Sequence, residues 1–178
     1  MIWEPVDSAL ADSVQVIRFG RARGVLFPAG YKPMGLHHDR RFTPTLELIR
    51  QIEPTLRAQY RRAWVDAINS YLNDTNLYRP PLNPAARREH IAERLPWITR
   101  EAERLPRLDR QYIGYYSCDG ERMILINLLD FNKDPHGFRP HLAESWVDGW
   151  HGWFETNVRR IRFNIDQGRL SVNEASCP

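Results

Sequence analysis

Lysine, cysteine and long apolar runs are what this chain has least of, and each shortage narrows its class. Of its 25 basic residues only Lys32 and Lys133 are lysine; the rest are arginine. Arginine suits bidentate recognition of oxyanions, but a net charge of +3 gives a weak electrostatic footprint, which argues against a nucleic-acid partner. Cys118 and Cys177 are the only cysteines, too few for a disulfide scaffold or a cysteine-based zinc module. Whether they bridge each other stays open, because sequence does not measure their separation. No stretch approaches the roughly 18 consecutive apolar residues of a membrane span. The opening MIWEPVDSAL places Glu4 and Asp7 where a signal peptide needs a basic start and an apolar run. As written the chain reads as cytoplasmic, or as exported if an upstream signal has been removed. Also missing are the Gly-x-Ser-x-Gly elbow, the phosphate-binding Gly-Lys-Ser/Thr loop, the dinucleotide fingerprint and the His-Glu-x-x-His helix. No catalytic residue and no cofactor is implied.

What is present describes a globular chain. With 178 residues, 42% hydrophobic and 26% charged, residues 1–178 read as one domain able to bury roughly 70% of the surface exposed on unfolding. Residues 14–29 read as two short strands around a Gly-flanked basic turn, and 30–41 as a loop. A helix is expected after Thr43 as N-cap, with Pro44 at its first position, running to about residue 72. Ile49, Ile52, Leu56, Tyr60, Ala63 and Trp64 recur at three- and four-residue spacing along it. Pro54 removes a donor and predicts a kink or two abutting helices. Asn83 and Pro84 open a second helical stretch, in which Pro96 and Pro106 are each expected to end a short helix.

From Gln111 the period changes to two. QYIGYYSCDGERMILINLL reads as a hairpin turning at Asp119-Gly120, and a two-residue turn places Ile113 opposite Ile126 and Tyr115 opposite Ile124. Both of its faces are largely apolar, which predicts a central hairpin covered by helix on one side and by another element on the other. A second hairpin turns at Gln167-Gly168, laying Ile165 against Leu170 and Phe163 against Val172. The expected fold is α+β: an antiparallel sheet of about four main strands against a long kinked N-terminal helix, with additional short helices.

The segments FTPTLELIRQIEP, RQYIGYYSCDGERMILINLL and FNIDQGRLSVNEA resemble, in that order, a family of small uncharacterised bacterial α+β proteins, often exported or lipoproteins. The family pattern is a Thr-Pro-initiated helix, an Arg-Gln-Tyr-x-Gly-Tyr strand and a closing strand pair. The chain departs from it at Gly149-Trp150, where Gly-Gly is expected, and at Val172-Asn173-Glu174-Ala175, which lacks a glycine. The resemblance implies the α+β layout and export, and no activity, cofactor or catalytic residue.

The stretch DPHGFRPHLAESWVDGWHGWF, residues 134–154, gathers three histidines, three tryptophans and three carboxylates. Were 140–153 helical, His141, Glu144, Asp148 and His151 would share an arc of about 80°, with Trp146, Trp150 and Trp153 nearly opposite. Such a face could hold a metal and activate water for hydrolysis. Gly149 and Gly152 oppose that helix, and a tryptophan stripe packs more often than it binds. The leading reading is therefore a non-catalytic ligand- or partner-binding module. Its anchors are Trp146, Trp150 and Trp153, with His141, Glu144, Asp148 and His151 beside them, for a small ligand or a protein partner. The alternative is a metal-assisted hydrolase built on the 141–151 cluster; a third reading, an anionic-polymer binder, rests on the arginines. HHDR at 37–40 reads as a solvent-facing loop. Arg160 and Arg162, with Arg18, Arg21 and Arg23, read as wet strand positions.

Overall fold

The computed structural model describes residues 13–33, 36, 40–74, 82–149 and 151–172. His37, His38, Asp39, Trp150 and Cys177 lie outside them. The chain begins with β1 (Gln15–Phe19) and β2 (Ala22–Leu26), the short β3 (Arg41–Phe42), and helices α1 (Leu46–Leu72) and α2 (Pro84–Arg104). Then follow β4 (Asp109–Tyr116), β5 (Arg122–Leu129), the five-residue α3 (Trp153–Asn157), β6 (Val158–Asn164) and β7 (Arg169–Ser171).

The α+β class holds, but the sheet is larger than expected and mixed. Seven strands run in the order β1-β2-β4-β5-β6-β7, with β3 also on β4. β2 and β4 are parallel, which the long helical crossover between them permits. All other pairings are antiparallel. Two short strands flank a turn as read, but the turn is only Gly20-Arg21, with Gly20 at φ +65° in a type II′ position, and Gly24 lies within β2.

Both predicted hairpin registers need correction. β4 and β5 pair Tyr112 with Ile126, Ile113 with Leu125 and Gly114 with Ile124, one residue off the expectation. The loop has three residues: Gly120 adopts φ +82°, its N–H donates to the Ser117 carbonyl at 3.0 Å, and Ser117 N–H donates to Glu121 at 2.9 Å. The Ser117 hydroxyl accepts the Glu121 N–H at 3.1 Å, which adds a local reason for the longer loop. A one-residue slip exchanges the partners across the two faces. In the last hairpin Phe163 faces Leu170, a two-residue shift that keeps each side chain on its face. There Asn164 Oδ1 accepts the Gln167 N–H at 2.9 Å, so Ile165 falls in the loop.

The helices also differ from expectation at their prolines. Thr45, not Thr43, caps α1, its hydroxyl accepting the Leu48 N–H at 3.2 Å. Thr43 instead accepts the Ala29 N–H at 3.0 Å. α1 runs unbroken through Pro54, and α2 through Pro96. Both prolines are exposed, as are Arg50 and Ala92, whose carbonyls lose a donor on a side that water reaches. Only Pro106 ends a helix, in the 3₁₀ turn Leu105–Arg107.

Each sheet face carries its own core. On one, Ile49, Ile52, Leu56 and Tyr60 of α1 pack on Tyr112, Ile124, Ile126 and Phe163. Burying Leu or Ile side chains in this way stabilises the fold by roughly 1.5–3 kcal/mol each. Beneath α1, Glu53 Oε1 accepts the Tyr112 hydroxyl at 2.7 Å and lies 2.8 Å from Arg110 Nε. Burial, with the Glu53 charge adding to it, holds the Tyr112 hydroxyl well above its ordinary pKa, so it serves as the hydrogen-bond donor. On the other face Val25, Phe27, Ile113, Tyr115 and Leu125 meet Phe138, Leu142, Trp146 and Phe154. The second cover of the central hairpin is therefore the largely irregular excursion between β5 and β6.

Cys118 beside the β4–β5 turn is disulfide-bonded, so it is no thiolate nucleophile. Alkylation of the denatured, unreduced chain should label no cysteine, and labelling of Cys118 would contradict the bond.

Candidate functional site

Two buried amides hold the excursion on the sheet. Gln111 and Asn127 face each other across β4 and β5, both fully buried. Gln111 Nε2 donates to the carbonyls of Leu142 at 2.9 Å and Ser145 at 2.6 Å. Its Oε1 accepts the Val147 N–H at 2.8 Å and the Asn127 amide at 3.2 Å. Asn127 Nδ2 also donates to the Val147 carbonyl at 2.7 Å. Segment 142–147 has only a turn and an isolated bridge at Ser145 to pair its backbone, and these side chains supply further partners that burial demands.

Among the described residues of 140–153 the helix that the metal reading requires does not form, as Gly149 and Gly152 led one to expect. His141 ends a 3₁₀ turn at Arg139–His141, Leu142–Glu144 follow as turn, and Gly152, at φ +65°, precedes α3. The four candidate ligands separate into different pairs. His141 Nδ1 lies 2.7 Å from Glu144 on the surface, and His151 Nδ1 lies 3.2 Å from Glu155. Asp148 is ion-paired with Arg160, which places Arg160 in a contact rather than on a bare wet face. Among the described residues no three His, Cys, Asp or Glu side chains gather as a metal set.

The tryptophans separate too. Trp146 is core: its N–H donates to the Tyr31 hydroxyl at 2.8 Å and its ring meets Phe27 edge-on. Trp153 is half-buried, stacks on Phe131 at 5.4 Å and donates from Nε1 to the Lys133 carbonyl at 2.6 Å. Of the proposed anchors Trp153 lines a hollow.

That hollow lies where both ends of the excursion meet the end of α2. It measures about 660 Å³ and is walled by Lys133, Asp134, Trp153 and Thr156. A neighbouring hollow of about 490 Å³ shares Arg104, Asp130 and Asn132 with it and adds Arg21, Arg107 and Arg139. Local capping shapes the rim: Asp134 accepts the Phe138 and Arg139 N–H groups at 2.9 and 2.8 Å. Asp130 accepts the Asn132 N–H at 2.9 Å and pairs with Arg104. Asp109, 1% exposed, accepts the Arg23 N–H at 2.7 Å and Arg139 Nε at 2.9 Å. Every carboxylate of the cleft is thus occupied by a cation or a backbone donor. The two linings hold no His, Cys or Ser among the described residues. The arrangement can bind and orient a small molecule.

Sequence reasoning missed Gln111, Asn127, Arg107 and Arg139. Asn127 inside the apolar run Met123–Leu129, with Gln111 on the facing strand, was the available signal for the amide pair. No family model, curated protein or solved structure matches the chain.

Replacing Gln111 by Leu strands the Val147 N–H and two buried carbonyls, each worth about 1–3 kcal/mol when unsatisfied. Urea unfolding of Gln111→Leu should show a loss above about 2 kcal/mol; a loss below about 0.5 kcal/mol would contradict the clasp.

Proposed function

We propose that the protein is a non-catalytic ligand-binding module whose site is the double hollow at the end of the sheet. One observation carries this: two adjoining concavities share Arg104, Asp130 and Asn132, with an aromatic wall at Trp153 and donors around the rim. A concave site with an apolar ring and a few placed polar groups is the usual form of a small-ligand pocket. The occupied carboxylates favour binding over hydrolysis. The 141–151 hydrolase reading loses its support, since those side chains serve separate pairs.

We also propose, on the helix and strand segments alone, kinship with the bacterial family they resemble. A disulfide at Cys118 favours the export that this kinship implies, because thiols stay reduced in the cytosol. No helix among the described residues is long and apolar enough to cross a membrane.

A fragment screen followed by ¹H–¹⁵N spectra tests the site. Aromatic and heteroaromatic hits should shift the Trp153 indole resonance together with the amides of Asn132, Lys133 and Thr156. Hits that cluster on another face, or none at millimolar concentration, would remove the cleft as the binding site.

A further inference from the structure

We propose that the arginine-lined half of the cleft is an oxyanion site, which takes a compact dianionic group of a small molecule: a phosphate ester or a dicarboxylate. This rests on the binding-module reading for its pocket and names the ligand class that reading leaves open.

The charge arrangement carries the inference. Four guanidinium groups, those of Arg21, Arg104, Arg107 and Arg139, line a hollow of about 490 Å³ against two carboxylates, Asp109 and Asp130. Both carboxylates are already engaged. Asp130 holds Arg104, which Glu101 also contacts at 2.8 Å. Asp109 holds Arg139 by Nε alone, which orients that guanidinium and leaves its two terminal amino groups unspent within the described structure. Arg21 on the β1–β2 turn and Arg107 after α2 are exposed and make no side-chain hydrogen bond or ion pair among the described residues.

Two cationic forks with no anion assigned among the described residues, Arg21 and Arg107, therefore border one concavity together with the unspent amino groups of Arg139. Guanidinium pairs bind carboxylate and phosphate bidentately. A fork fixed beforehand by a buried carboxylate loses less freedom when a ligand arrives. Clustering like charges around a concavity is unfavourable for the empty protein, and a dianion reverses that sign. Both carboxylates of the lining are held in ion pairs with Arg104 and Arg139, which favours capture of such a group over turnover. Trp153 in the adjoining hollow supplies a flat apolar wall for the rest of the molecule.

Arginine side-chain ¹⁵N spectra of the full chain at low salt test this with inorganic phosphate, succinate and chloride at matched ionic strength. Phosphate or succinate should shift the Nε resonances of Arg21, Arg107 and Arg139 saturably, and chloride should not. Arg107→Gln should weaken the effective probe about tenfold or more, with Arg21→Gln acting in the same direction. Saturation by phosphate alone assigns a phosphate ester, and by succinate alone a dicarboxylate. The inference is overturned if chloride reproduces the shifts, if both variants bind unchanged, or if only a long polyanion binds, across arginines outside the cleft. Neutral fragments in the same samples separate the two claims. Trp153 responding while the arginines stay silent removes the oxyanion site and keeps the module. Arginines responding while no fragment reaches Trp153 keeps the oxyanion site and removes the extended cleft.

Discussion

The paired amides of Gln111 and Asn127 are the constraint on which the second half of the structure depends. The central hairpin is apolar on both faces, and α1 covers only one. The other must be closed by chain that is largely irregular, and irregular chain brings unpaired backbone groups into a dry interface, at a cost of about 1–3 kcal/mol for each one left unsatisfied. Gln111 and Asn127 meet that demand at three backbone positions, Leu142, Ser145 and Val147. With the middle of the excursion pinned, its two ends come to rest at the end of the sheet, and residues from both ends form the cleft.

The polar contacts on the two faces serve different purposes. Under α1, Glu53, Arg110 and Tyr112 form a buried cluster whose removal in part would leave an uncompensated charge. At the end of the sheet, Asp109 and Asp130 neutralise only part of the arginine charge around them. The first cluster is closed and structural. The second is open to water and incomplete, which is what a binding site for an anion requires.

Much of the scaffold was legible. The α+β class, both main hairpins, the Asn83 cap with its 2.9 Å bond to Ala86 N–H, and the need for a second cover over the hairpin follow from period, turn residues and apolar faces. The registers were not legible. Asp-Gly suits a two-residue turn, but the three-residue loop with Gly120 left-handed won, helped by the Ser117 hydroxyl. That single slip hid the site's foundation: in the two-residue register Gln111 would face Leu128, and the two amides would never meet. The proline positions misled for a different reason, since Pro54 and Pro96 sit where water replaces the lost bond. The His and carboxylate cluster of 141–151 depended on a helix that Gly149 and Gly152 resist. The arginines of the cleft come from the β1–β2 turn, the end of α2 and the 130–139 loop, and no local pattern links such distant positions.

Native-state hydrogen exchange at the Val147 amide tests the central claim most directly. If the clasp closes the second face, this N–H exchanges only through global unfolding, with the same free energy and denaturant dependence as the β4 amides. Exchange of Val147 by a low-energy local opening, while β4 stays protected, would show that the excursion is not held by Gln111 and that the cleft has no fixed wall.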